Sequence, residues 1–169
     1  MSRIPLTSIR PEIQKKLDAL GGKPHNLYKL LAHQPQLLSA WIDFAYTLRR
    51  DCITSRKLRE LMILRGAQLS SSEYEWKHHL KMAKEAGISE EQISQLSNWS
   101  HASIYTKKEK AALKFMESII SGQVPDSVSS DMLLQFTPSE YVELTLTASF
   151  YSMVPRVLDS LQVPLEEGL

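Results

Sequence analysis

The side chains with the clearest capacity for chemistry lie in one segment of the sequence, between Glu60 and His79. Glu60 borders the apolar run Leu61–Leu64, where a carboxylate must be hydrogen-bonded, ion-paired or protonated because burial disfavours its charged form. Glu75 precedes His79 by four residues, so their side chains are neighbours on one helix surface. An imidazole between two carboxylates can transfer protons, since one acid orients the ring while the other exchanges a proton. We therefore predict Glu60, Glu75 and His79 as catalytic residues.

Structural explanations for the same residues stay open. Glu60 could simply form a salt bridge with one of three nearby arginines, Arg56, Arg59 or Arg65. A glutamate–histidine pair four residues apart often does no more than support its helix. The chemical interpretation gains weight because Glu60 and His79 belong to consecutive helices joined by a short turn, and such helices usually pack antiparallel.

A metal site is a weaker interpretation of the same group. Glu60, Glu75 and His79 could bind a divalent ion through one nitrogen and two carboxylates. The sequence has no further His and carboxylate residues at the repeated spacing of di-iron helical bundles. We therefore predict neither a metal nor any other cofactor.

The helices that must position these residues have clear boundaries in the sequence. Serine or threonine N-caps begin them, and a serine-rich turn and a glycine end them. The first is predicted from an N-cap at Thr54 or Ser55 to about Leu69, and the second from Glu73 to Ala86 before Gly87. On the second helix, Trp76, Leu80 and Ala83 define the predicted core face. Ser72, Glu75 and His79 are predicted to form a polar stripe at the border of that face.

Helical spacing of apolar residues dominates the remainder of the chain. Further helix starts are predicted at Pro11, Pro35, the Ser89–Gln92 capping box, the Thr106–Glu109 capping box and Thr137-Pro138. Pro155 is expected to kink or interrupt the last helix. No alternating strand pattern and no repeat is present, so the sequence predicts an all-α protein.

Composition excludes several classes of function. Of the 169 residues, 43% are apolar and 23% are charged, and 20 Lys+Arg against 19 Asp+Glu give a formal charge of +1. That balance argues against binding nucleic acid or a membrane surface by bulk electrostatics. The longest apolar run has four residues and the N-terminus lacks the apolar core of a signal peptide, so we expect a cytoplasmic protein. A single cysteine, Cys52, excludes intrachain disulfides and multi-thiolate metal sites.

The segment from Arg59-Glu60-Leu61 to Gly87-Ile88-Ser89-Glu90-Glu91 resembles the core of the carboxymuconolactone decarboxylase and alkylhydroperoxidase D superfamily. The resemblance covers about residues 35–96. It implies a single-domain helical bundle of the alkylhydroperoxidase D-like type, with residues 1–34 as an N-terminal helical arm and 35–169 as the domain. It also implies a homo-oligomer, either a trimer or a hexamer.

The peroxidase branch of this superfamily has a glutamate, a Cys-x-x-Cys motif beginning twelve residues later, and a histidine four residues after the second cysteine. Here Glu60 and His79 fit, whereas Ser72 and Glu75 occupy the two cysteine positions. Neither serine nor glutamate can cycle through a disulfide, so dithiol peroxidase activity is disfavoured. An antioxidant role that uses Cys52 is kept as an alternative.

The decarboxylase branch lacks these cysteines and keeps Arg-Glu on one helix and a histidine on the next. Its resemblance implies acid–base chemistry on a small carboxylated lactone or related ring metabolite, either decarboxylation or isomerisation. Arg59 or Arg56 would bind the substrate carboxylate, and Ser72 and Trp76 are further predicted substrate-binding residues. His79 would deliver the proton. A non-catalytic helical oligomer, fastened by the same polar cluster, is the third hypothesis.

Overall fold

In the computed structural model, which describes residues 1–168, all regular secondary structure is helical. This confirms the predicted fold class. The helices of the described residues are α1 (Pro11–Ala19), α2 (Asn26–Leu31), α3 (Pro35–Arg50), α4 (Arg56–Leu69), α5 (Glu73–Glu85), α6 (Glu90–Gln95), α7 (Lys107–Ser121), α8 (Asp126–Gln135) and α9 (Pro138–Leu161), with a 3-10 turn at Leu96–Asn98. No helix among these residues is long and apolar enough to cross a membrane.

The predicted capping residues begin and end these helices. Ser55 accepts a hydrogen bond from the backbone N–H of Leu58 at 3.3 Å, and reciprocal capping boxes form at Ser89–Gln92 and Thr106–Glu109. Gly87 follows α5 with φ of +91°, a left-handed conformation that glycine adopts without a steric penalty. Helix α9 continues through Pro155, so the proline does not interrupt the helix.

The contacts between residues divide the chain into two units. One comprises Met1–Asp51 together with the residues from Arg156 onward, and the other is Cys52–Pro155. The division into an arm of residues 1–34 and a domain of residues 35–169 stays a prediction.

The first unit has a small apolar core of its own. Leu17 of α1, Leu30 of α2 and Leu38 and Ile42 of α3 are almost completely buried. At the surface of this unit, the Lys16 ammonium lies 2.6 Å from an oxygen of Asp43 and so connects α1 to α3.

The second unit is built around α4, which packs against α5 and α7. The run Leu61–Leu64 is buried on every side, with no residue more than 2% exposed, as its uninterrupted apolar character predicts. Leu61 and Leu64 belong to a core cluster that also contains Ala83, Ile88, Leu96, Trp99, Ala102, Tyr105 and Leu113. Helix α4 is therefore the central element of this unit, and Glu60 beside the apolar run is completely buried.

The buried face of α5 differs from the prediction. Glu75, His79 and Ala83 are buried, whereas Trp76 and Leu80 of the predicted core face are only partly buried. Glu75 and His79 of the polar stripe therefore point inward, whereas Ser72 at its start is only partly buried. Ala83 and His79, both predicted on the core face, are buried there, and Glu75 is buried beside them. A glutamate and a histidine can be buried where polar partners meet them.

Candidate active site

The Ser70–Ser72 turn between α4 and α5 brings the predicted catalytic side chains together. Ser71 has a left-handed φ of +50°, and Ser72 accepts a hydrogen bond from the Glu75 backbone N–H at 3.4 Å as the N-cap of α5. The N-cap residue Ser72 therefore lies about one helical turn before Glu75 and two turns before His79.

Glu60 is completely buried, and its two carboxylate oxygens have different partners. Oε2 lies 2.8 Å from Nδ1 of His79. Oε1 forms an ion pair with the guanidinium of Arg56, one turn earlier on α4. An opposite charge and an N–H donor both favour the charged form of a buried carboxylate. Of the three arginines considered from the sequence, Arg56 thus pairs with Glu60.

His79 is held between two acids. Because a carboxylate can only accept a hydrogen bond, Nδ1 of His79 carries the proton that is donated to Glu60. The other ring nitrogen, Nε2, lies 3.8 Å from Oε2 of Glu75, which is longer than a direct hydrogen bond. His79 and Glu75 are 2% and 5% exposed. The three side chains predicted from the sequence therefore converge, with Nε2 as the ring nitrogen available for proton exchange.

An aromatic ring from α9 completes the surroundings of His79. The Tyr151 ring packs edge-on against the imidazole, with ring centroids 4.9 Å apart and an angle of 88° between the planes. Tyr151 and Phe150 are 3% and 4% exposed, so within this chain they are core residues rather than surface residues open to another subunit. The contact with His79 could not be predicted from the sequence, because no local pattern links α9 to α5.

Arg59 occupies a separate polar cluster. Its guanidinium donates to the carbonyl of Thr54 and lies 3.7 Å from Oε1 of Glu143 on α9. Glu143 also accepts from the backbone N–H groups of Ile53 and Thr54, at 2.6 and 2.8 Å. The Cys52 thiol is a further hydrogen-bond partner of Glu143. The two predicted substrate-binding arginines thus contact different acids.

Hydrogen bonding decides the ionisation of Glu143. Burial raises the pKa of Glu143, but hydrogen bonds from the Thr54 hydroxyl and from the backbone of Thr54 and Ile53 lower it further than burial raises it. The net pKa lies below the ordinary glutamate value, so Glu143 is a carboxylate at neutral pH. It therefore anchors the segment that leads into α4.

The remaining predicted binding residues have structural contacts. The Ser72 hydroxyl caps α5. Trp76 packs against the core cluster of α4, α5 and α7. Their roles in substrate binding stay predictions.

The contacts of Glu60 bear on the metal interpretation. Both of its oxygens face hydrogen-bond donors, and one of these donors is the permanently charged Arg56. A cation at that position would repel a divalent ion. The residues present therefore suit proton transfer better than metal binding.

Comparisons with known proteins identify the family of this chain. Residues 35–118 match the model of the carboxymuconolactone decarboxylase family. The uncharacterised protein YdfG of Bacillus subtilis is 30% identical over 115 residues, which cover 66% of this chain and 78% of that protein. The chain belongs to the carboxymuconolactone decarboxylase family.

Solved structures show that the fold is of the alkylhydroperoxidase D type. An uncharacterised peroxidase-related protein from Ralstonia eutropha JMP134, with an alkylhydroperoxidase AhpD core, superposes with a TM-score of 0.79 at 18% identity, over 98% of this chain and 93% of the other. The peroxidase-related protein of Silicibacter sp. TM1040 gives a TM-score of 0.81 at 16% identity, over 98% and 91%. The debrominase Bmp8, solved in complex with 2,3,4-tribromopyrrole, gives 0.79 at 12% identity, over 99% and 95%.

Proposed function

We propose that this protein is a cofactor-independent acid–base enzyme that decarboxylates or isomerises a small carboxylated lactone or a related ring metabolite. The observation that carries the proposal is the position of the His79 imidazole, with Nδ1 2.8 Å from Glu60 and Nε2 3.8 Å from Glu75. Membership of the carboxymuconolactone decarboxylase family supports this substrate class. The likeness to a debrominase solved with a brominated pyrrole supports a small ring as ligand of this fold.

The chemistry assigns a different task to each nitrogen of the ring. The bond from Nδ1 to Glu60 holds the imidazole in one orientation, so Nε2 exchanges the proton. In a decarboxylation, the bond to the carboxylate carbon breaks and CO2 leaves. The electron pair moves into the conjugated carbonyl, and the imidazolium, which carries a proton on both ring nitrogens, gives its Nε2 proton to the carbanionic carbon. Glu60 and Glu75, one on each side of the ring, stabilise the imidazolium that solvent regenerates.

Arg56 is the better placed arginine for the substrate carboxylate. Its side chain is 29% exposed and contacts the buried Glu60, whereas Arg59 is 4% exposed and contacts Glu143. A guanidinium carries five N–H donors, so contact with Glu60 still allows it to bind a carboxylate. We therefore assign substrate binding to Arg56 before Arg59.

The test is turnover of a carboxylated lactone by two conservative variants, Glu60→Gln and His79→Asn. We expect both to fold and to lose at least about a hundredfold in kcat, the scale of general acid–base catalysis. Two matched controls should keep activity, Glu109→Gln, a buried glutamate of α7, and His101→Ala, an exposed histidine. Unchanged turnover in the Glu60 and His79 variants would remove these residues from the mechanism.

The burial of the same three side chains favours a second candidate, a non-catalytic helical oligomer. In that case Glu60 and His79 would only stabilise the subunit, and their replacement would lower the melting temperature without affecting any activity. Sedimentation of the wild-type protein tests the predicted trimer or hexamer. The cytoplasmic location also stays a prediction from the sequence.

A further inference from the structure

The hydroxyl of Thr147 on α9 is buried without a hydrogen bond. Thr147 is 1% exposed, and its Oγ1 has no hydrogen-bond donor or acceptor partner among residues 1–168. Threonine hydroxyls inside helices usually bond to a carbonyl of the preceding turn. Thr145, two residues earlier, does so, since its Oγ1 donates to the Tyr141 carbonyl at 2.7 Å. Thr147 therefore differs from Thr145, whose hydroxyl is hydrogen-bonded within the same helix.

In the sequence of α9, Thr147 stands between the two residues that contact the polar clusters of Arg59 and of His79. Glu143, Thr147 and Tyr151 are four residues apart on α9, so their side chains follow one another along one face. Glu143 contacts Arg59 of α4 at 3.7 Å, and Tyr151 contacts the His79 ring of α5. Thr147 lies between these contacts, one helical turn from each.

We propose that the Thr147 hydroxyl binds the ring carbonyl oxygen of the ligand on which His79 acts, and so helps to select a lactone. This inference rests on the proposed function and deepens it. A neutral hydroxyl suits a neutral carbonyl, whereas the substrate carboxylate requires a cation, which Arg56 supplies. Leaving a buried hydroxyl unpaired costs stability, and proteins keep such groups where a ligand uses them.

The first measurement needs no ligand. Thr147→Val removes the hydroxyl and keeps the shape of the side chain. If the hydroxyl has no partner in the protein, this variant should melt at the same temperature as the wild type or higher. The matched control, Thr145→Val, loses a hydrogen bond to the backbone and should melt lower. A fall in the melting temperature of Thr147→Val as large as that of the control would show a structural hydroxyl and overturn the proposal.

The second measurement compares two probes by isothermal titration in a His79→Asn background, in which turnover is prevented. One probe is a carboxylated five-membered lactone, and the other is the tetrahydrofuran carboxylate that lacks the ring carbonyl. We expect Thr147→Val to weaken lactone binding about tenfold, the effect of one hydrogen bond, and to leave the tetrahydrofuran probe unchanged. Thr147→Ser, which keeps the hydroxyl, should restore lactone binding, and Thr145→Val should bind both probes normally.

Failure of this inference is distinguishable from failure of the proposed function. The role of Thr147 is overturned if Thr147→Val loses the same affinity for both probes, or if it binds the lactone within twofold of the His79→Asn parent. Turnover of the lactone by the wild type would still support the proposed enzyme in that case. If the wild type neither binds nor converts a carboxylated lactone, the proposed function fails and this inference fails with it.

Discussion

Arg56 and Glu60 form an ion pair in which only the arginine reaches solvent, since their side chains are 29% and 0% exposed. The pair joins the surface of α4 to the imidazole of His79 inside the protein. It is therefore both a structural contact and the electrostatic support of the candidate active site.

Replacing Arg56 with glutamine should be strongly destabilising, because it leaves the Glu60 carboxylate buried without its cation. We expect a loss of about 3 kcal/mol in the free energy of unfolding, measured by urea denaturation. The control is Arg10→Gln, which removes one member of an exposed pair whose side chains are 59% and 67% exposed. This control should change stability by less than about 0.5 kcal/mol. Equal losses of stability in the two variants would mean that the Arg56–Glu60 pair contributes no more to the free energy of unfolding than an exposed ion pair does.

Stability should depend on pH through Glu143. Its pKa is lower in the folded protein than in the unfolded chain, because hydrogen bonds from Thr54 and Ile53 outweigh the effect of burial. The stabilisation is therefore fully present above the ordinary glutamate pKa, about 4.3, and is lost as the pH falls through the lower pKa of the folded state. Glu143→Gln should flatten this acid branch when unfolding is followed between neutral pH and pH 3.

A second variant shows whether the Thr54 hydroxyl is one of the causes. Thr54→Val removes one donor to Glu143 and should reduce the slope of the acid branch in the same direction but by less. If both variants lose stability with falling pH as steeply as the wild type does, the acid sensitivity comes from other carboxylates. Glu109, whose pKa is also lowered, is one of these. For Glu109, burial raises the pKa, but hydrogen bonds from Thr106 and Gln92 outweigh it.

The N-cap of α5 should contribute measurably to stability. Ser72→Ala removes the acceptor for the Glu75 backbone N–H, and we expect a loss of about 1 kcal/mol. Ser72→Asp, which keeps a capping oxygen, should restore the lost stability. The neighbouring Ser71→Gly should act in the opposite direction, because Ser71 has a φ of +50° that glycine adopts more easily. A stable Ser72→Ala protein would show that α5 needs no cap.

The contact between α4 and α7 depends on the absence of a side chain at Gly66. A Cβ there would lie 2.3 Å from Cε of the fully buried Met116. Gly66→Ala gains about 1 kcal/mol of helix propensity but forces Met116 to move, which costs about 1–3 kcal/mol. We expect a net loss of stability in thermal unfolding. Combining Gly66→Ala with Met116→Leu should recover part of it, and strictly additive effects would contradict the predicted clash.

The local features of this protein could be predicted from its sequence. Helix boundaries followed from Ser55, Ser72, Ser89 and Thr106, because a capping hydrogen bond involves residues only two or three positions apart. The relation of Glu75 to His79 follows in the same way from helix periodicity. The spacing of Glu60 and His79 was enough to suggest the family, which the comparisons show.

Only the tertiary structure decided which polar groups meet across helices. Local spacing left Glu60 with three possible arginine partners, and packing paired it with Arg56 while it directed Arg59 to Glu143. The inward turn of the α5 polar stripe, the Tyr151 ring against His79 and the unpaired Thr147 hydroxyl all depend on contacts between distant segments. Such contacts are set by how whole helix faces fit together, and no pattern within a single helix encodes them.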